Sequence, residues 1–284
     1  MTDWRLSNCH IVKRIRWVMI GAMLFSVILT LLGQPKSFWL HPQTALRGDG
    51  LSIYDNTNRT FEFFLGNGWQ PYLAASLVYL AAALLAVSLL PESLALIAAF
   101  SVIFGHYFGA SLWLSSRWHL GAQGFILYAI VLGALLAFFI FPAAHAHDPI
   151  GKRLRWVMSG AMLFDFTLTL ASQPGSYWLH PASVNESNPL FGLFLARGWI
   201  AGVLFYLVYL AATFLLVSVV STMTARICIF ALLFSHFNGA STWLFYRWRL
   251  GMEAPVFYAV LLSAIIVWQA FPQRKSDQAA PLAE

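Results

Sequence analysis

The chain has 284 residues, of which 60% are hydrophobic and only 10% charged, and its 17 Lys and Arg outnumber 11 Asp and Glu to give a net charge of +6. Soluble proteins carry about 25% charged residues, and so little charge cannot cover the surface of a water-soluble globule of this size. A soluble enzyme, a disordered chain and a nucleic-acid binder are all excluded, and two cysteines, Cys9 and Cys228, are too few for a disulfide framework.

Eight apolar runs follow one another along the chain: 17–32, 72–90, 94–115, 125–141, 156–172, 200–220, 227–246 and 256–271. Each is long enough, or nearly so, to cross about 30 Å of hydrocarbon as a helix. The shorter ones end in Trp, Tyr, Arg or Lys, which settle among lipid headgroups and lengthen the effective span. The first run resembles a signal peptide in its basic start, but no small-x-small cleavage site follows and a near copy recurs in mid-chain; a retained helix is expected. With both termini inside, ten Lys and Arg fall in inner segments and seven in outer loops. The basic clusters 13–16 and 152–155 abut Trp17 and Trp156, so the positive charge sets the topology and nucleic acid is not needed to account for it.

Internal repetition is the strongest signal. Segments 13–42 and 152–181 are identical at 21 of 30 positions, and a second block pairs 106–121 with 236–251. These matches predict an all-α membrane protein of about eight transmembrane helices in two tandem four-helix repeats. The repeats occupy residues 1–142 and 152–284, with 143–151 as a polar linker. Four helices per copy is an even number, so both copies enter the bilayer in one sense and a pseudo-twofold axis along the membrane normal is expected.

Two copies permit an internal comparison. Both keep a Gln-Pro-x-Ser-aromatic-Trp-Leu-His-Pro turn, at 34–42 and 173–181, and an Arg-Trp pair, Arg117-Trp118 and Arg247-Trp248; these read as a rigid outer turn and as interface anchors. The second copy is the more polar: Asp165 stands where the first has Ser26, Asn238 where it has Phe108, and Glu186 where it has Asn56. Asp165 lies nine residues past Trp156, roughly 13 Å into the membrane at 1.5 Å per residue, and His236 reaches a similar depth. A carboxylate there costs at least about 2.5–3.5 kcal/mol on insertion scales, so it needs a partner or a task. Thr169 is one candidate partner, in which case the aspartate serves helix packing alone. The repeat-equivalent His106 and His236 lie mid-helix, and His41 and His180 in the outer turns. Neutral imidazole binds zinc, copper or haem iron, although a histidine within a helix bundle more often hydrogen-bonds across the packing.

Asp165-x-x-x-Thr169, followed by Glu186-x-Asn188-Pro189, resembles the Asp-x-x-x-Thr … Glu-x-Asn-Pro pattern of small, uncharacterised bacterial and archaeal integral membrane proteins. The resemblance covers about 25 residues of the second copy. It implies an all-helical unit of three or four spans in a bacterial or archaeal plasma membrane, and it brings no activity with it. The first copy departs from the pattern at Ser26, Asn56 and Arg59, so any site is expected in the second.

Three functions compete. Transport, or binding of a ligand or ion, would use Asp165 and His236 with Thr169, Glu186, Asn188 and Asn238. A membrane-embedded metalloenzyme would hold zinc on His236, Asp165, Glu186 and His180, and a haem variant would use His106 and His236 as axial ligands. A structural or partner-binding subunit would need its polar groups only for packing. The bilayer is the one partner that the sequence identifies, and transport or binding stands first because no hydrolase or haem-attachment motif is present.

Overall fold

A computed structural model describes residues 7–41, 59–141, 149–186 and 188–271. Among the described residues the chain is entirely helical. The helices are α1 (Ser7–Leu32), α2 (Arg59–Gly66), α3 (Trp69–Leu89), α4 (Glu92–Ser116) and α5 (Gly121–Ile140), then α6 (Pro149–Ala171), α7 (Pro189–Leu195), α8 (Trp199–Val219), α9 (Thr222–Thr242) and α10 (Glu253–Ala270). In hydrocarbon every backbone polar group must be satisfied within its own segment, so a chain this apolar forms helices. Several helices outrun the apolar stretches that announce them: α1 continues back through Lys13, Arg14 and Arg16, and α9 runs on through a wider turn at Trp243–Arg247. Residues 142–148, which hold most of the expected linker and both its histidines, lie outside the described residues, and α6 already starts at Pro149.

Seven of these helices are long and apolar enough to cross a membrane; α6 is the one long helix among those described that is not. The expectation of eight therefore meets a physical obstacle in the second copy of the first helix. Ser159, Asp165 and Thr167 of α6 stand where α1 has Ile20, Ser26 and Ile28, so α6 carries two hydroxyls in place of isoleucines and a carboxylate in place of a serine.

The helices pack as a central group flanked by two outer ones. α4 and α9 meet through phenylalanines: Phe100 stacks on Phe230 at 6.3 Å between ring centroids, and Phe104 lies 4.7 Å from Phe234. α1 packs on α4, and α6 on α9. The helices that follow cross over: α5 packs most extensively on α9, and α10 more on α4 than on α9. Gly133 makes the α5 crossing possible, because a Cβ there would meet the Ala231 amide and the Ile227 carbonyl at 3.0 Å; small residues let membrane helices approach this closely. α3 and α8 lie outermost and are the least buried of the spanning helices.

At one end of the bundle the repeated turn motif has a definite job. Lys36–Trp39 and Gly175–Trp178 each form a single tight turn after an extended proline. Gln34 donates to the Thr30 carbonyl at 3.0 Å and Gln173 to the Thr169 carbonyl at 2.9 Å, which satisfies acceptors that a helix end leaves open. Phe38 and Tyr177 point inward and are fully buried, and the Tyr177 hydroxyl donates to the Leu195 carbonyl. The arginines expected to be interface anchors are clamps: Arg117 donates to the Gly33 carbonyl at 2.6 Å and Arg247 to the Ser172 carbonyl at 3.0 Å.

Candidate functional site

Asp165 lies on α6, six residues before its last residue, roughly 9 Å from that end. α6 packs on α9 so closely that Gly239 faces the carboxylate, and a Cβ on Gly239 would come within 2.6 Å of Oδ1. One turn earlier on α9, at a spacing that shares a helix face, His236 meets the same carboxylate: Nδ1 and Asp165 Oδ2 are 2.8 Å apart. Both side chains are largely shielded, at 13% exposure for His236 and 16% for Asp165. Asp165 Oδ1 is buried with no hydrogen-bond partner among the described residues.

Tyrosines frame this pair. The residues on either side of Asp165 each carry a phenol ring: Tyr206 of α8 stacks on Phe166 at 4.1 Å, and Tyr258 of α10 packs on Phe164 at 4.8 Å. Successive residues of a helix point about 100° apart, so these two rings flank the carboxylate. Tyr209 completes the frame against the His236 ring at 6.2 Å and against Tyr206 at 5.9 Å. All three tyrosines lie within electrostatic reach of Asp165. The hydroxyls of Tyr206 and Tyr258 are buried without a hydrogen-bond partner among the described residues. Unpaired polar groups cost free energy in an apolar medium, and here a carboxylate oxygen and two phenols share one neighbourhood.

The first half has part of the frame and no acid. His106 lies beside Tyr79 at 5.8 Å, and Tyr128 packs on Phe25 at 4.6 Å. Ser26 takes the place of Asp165, and Ser76 that of Tyr206. A Cβ on Gly109 would find the Ser26 hydroxyl at 3.9 Å, which is ordinary contact.

The other expected site residues are placed elsewhere. Thr169 is buried one turn beyond Asp165, where its carbonyl serves Gln173. Asn188 caps α7, accepting from the Leu190 and Phe191 amides, and Glu186 Oε1 accepts from the Asn188 amide. With Pro189 in the first turn, Glu-x-Asn-Pro therefore acts here as a helix start. His180 is exposed in the tight turn, and its carbonyl accepts from Ser183. Asn238 is buried on α9, two residues and about 200° from His236.

The proposed four-residue zinc site consequently does not assemble. Among the described residues no three His, Cys, Asp or Glu side chains come together as a metal-holding group, because Glu186 is engaged at the start of α7 and His180 in its turn. The haem arrangement fails for a rotational reason. α4 and α9 do face each other, but through Phe100, Phe104, Phe230 and Phe234; His106 packs on α3 and His236 on α6 and α8, away from that seam.

Sequence reasoning missed Tyr206, Tyr209 and Tyr258, whose signal was diluted among ten tyrosines. The exchange of Ser76 for Tyr206 between the copies could have flagged the first of them. Compared with protein families, curated proteins and solved structures, the chain matches none.

Proposed function

We propose that the chain is an eight-span membrane protein made of two four-helix repeats, and that its second repeat binds and moves a small polar solute or ion, with Asp165 and His236 exchanging the proton that couples the movement. The observation that carries this reading is the 2.8 Å Asp165–His236 contact within the helix bundle, with Oδ1 of the same carboxylate unpartnered among the described residues. A carboxylate and an imidazole in hydrogen-bond contact trade a proton readily, and ionisable residues inside spanning segments mark ion and proton pathways.

The repeat architecture is supported by matched pairs of features 130 residues apart. Gly68 and Gly198 precede α3 and α8 at φ 122° and 117°, a conformation that glycine alone adopts without strain. His119 and Arg249 both take positive φ just before Gly121 and Gly251. α6 then corresponds to α1, and its packing against α8, α9 and α10 accompanies the shielding of Ser159 and Asp165, while the exposed Thr167 hydroxyl donates to the Leu163 carbonyl of its own helix; a helix with an aspartate is accommodated in a bilayer in this way. The first repeat keeps His106 without an acid and serves as scaffold.

Charge displacement in proteoliposomes on a solid-supported membrane tests the reading. A pH jump is expected to give a transient current in the wild type that Asp165→Asn abolishes. Equal currents from both proteins, with Asp165→Asn correctly folded, would contradict it.

A further inference from the structure

Resting on that reading of the site, we infer the class of its solute: a small monovalent cation that carries hydrogen-bond donors, namely ammonium or a primary alkylammonium. Three buried oxygen atoms, Asp165 Oδ1 and the hydroxyls of Tyr206 and Tyr258, have no hydrogen-bond partner among the described residues. Tyr206 and Tyr258 are 4% and 7% exposed, and their rings sit on Phe166 and Phe164, the two residues that flank Asp165. An ionised carboxylate only accepts hydrogen bonds, and each phenol oxygen accepts as well as donates. An ammonium group supplies N–H donors in several directions and satisfies such a set at once.

Charge points the same way. His236 is the only side chain that hydrogen-bonds to the Asp165 carboxylate among the described residues, and an imidazole in its neutral form leaves the negative charge of an ionised carboxylate uncancelled. A cation cancels it where the surrounding apolar medium makes the attraction strong. Buried aromatic rings pack on both phenols, Phe166 on Tyr206 at 4.1 Å and Phe237 on Tyr258 at 5.1 Å. Ring faces attract cations, most of all where water is excluded. The first half offers the contrast. Ser26 and Ser76 stand in place of the carboxylate and one phenol, so it lacks the charge and binds no such cation.

The test is saturable binding of radiolabelled methylammonium to the purified full-length protein in detergent, at constant ionic strength in sodium chloride. The wild type binds one equivalent, competed by ammonium and not by tetramethylammonium, which has no N–H donor. Asp165→Asn abolishes binding. Tyr206→Phe and Tyr258→Phe, which keep the rings and elute as folded protein, each weaken it about tenfold or more, the loss expected for a hydrogen bond to a charged group. The inference is overturned by an absence of saturable binding in the wild type, by equal competition from tetramethylammonium, or by two tyrosine variants that bind as the wild type does. The pH-jump current separates the two levels: a current that survives while methylammonium fails to bind overturns the solute class alone, and loss of both overturns the transport reading as well.

Discussion

Gly239 is the residue on which the candidate site turns, because only its hydrogen leaves room for the Asp165 carboxylate beside α9. Replacement by alanine must push the carboxylate or separate α6 from α9, and overpacking of this kind costs about 1–3 kcal/mol. Gly239→Ala is therefore expected to lower the thermal midpoint in detergent, while Gly109→Ala, whose nearest neighbour across the packing is 3.9 Å away, leaves it nearly unchanged; equal losses would show that the two positions are alike. The Asp165–His236 contact itself should be modest in stability terms. Hydrogen bonds between membrane helices average about 0.6 kcal/mol and reach about 1.7 in double-mutant cycles. A cycle of Asp165→Asn and His236→Gln is expected to return a coupling in that range. The sequence announced both residues through their depth, but not that they touch. Contact depends on how α6 and α9 are rotated and crossed, which the apolar pattern of either helix leaves open.

At the scale of elements, short polar motifs decide how helices begin, end and clamp. Asn188 caps α7 with two hydrogen bonds, and removal of such a cap costs about 0.5–2 kcal/mol. Asn188→Ala should destabilise the protein by about that much and leave the pH-jump current in place; loss of the current without loss of stability would return Glu-x-Asn-Pro to the functional residues. The turn at Gln173 is tied further by the pair of bonds between the Gln173 side chain and the Asn185 backbone. This explains why a motif that reads as a site in the sequence is a joint in the fold. Its polar residues satisfy helix ends and loop amides, work that spacing along the chain does not distinguish from ligand binding. The tyrosines show the opposite error. Aromatic residues of a membrane protein read as belts and filler, yet three of them surround the acid.

For the whole molecule, class was legible because composition alone decides it, and the matched segments 13–42 and 152–181 were legible because their identities are dense. The interlocking of the halves was not: that α5 lies mostly on α9 and α10 on α4 depends on small residues such as Gly133 meeting backbone across the bundle. The span count divides sequence from structure at α6. Two parallel repeats require α6 to cross, and the turns that follow α1 and α6 then lie on one side of the membrane. In a background with Cys9 and Cys228 replaced by serine, Ser37→Cys and Ser176→Cys should react with an impermeant maleimide from the same side. Labelling from opposite sides would mean an odd number of crossings between them and two repeats of opposite orientation.

Proton exchange between Asp165 and His236 is the step on which the proposed function rests. The most direct measurement is the infrared difference spectrum of the protein in lipid between acidic and alkaline pH. A carboxyl C=O band is expected in the wild type that is absent from Asp165→Asn, unaffected by Ser26→Ala, and displaced along the pH axis by His236→Gln. A spectrum in which Asp165→Asn and the wild type coincide would contradict it.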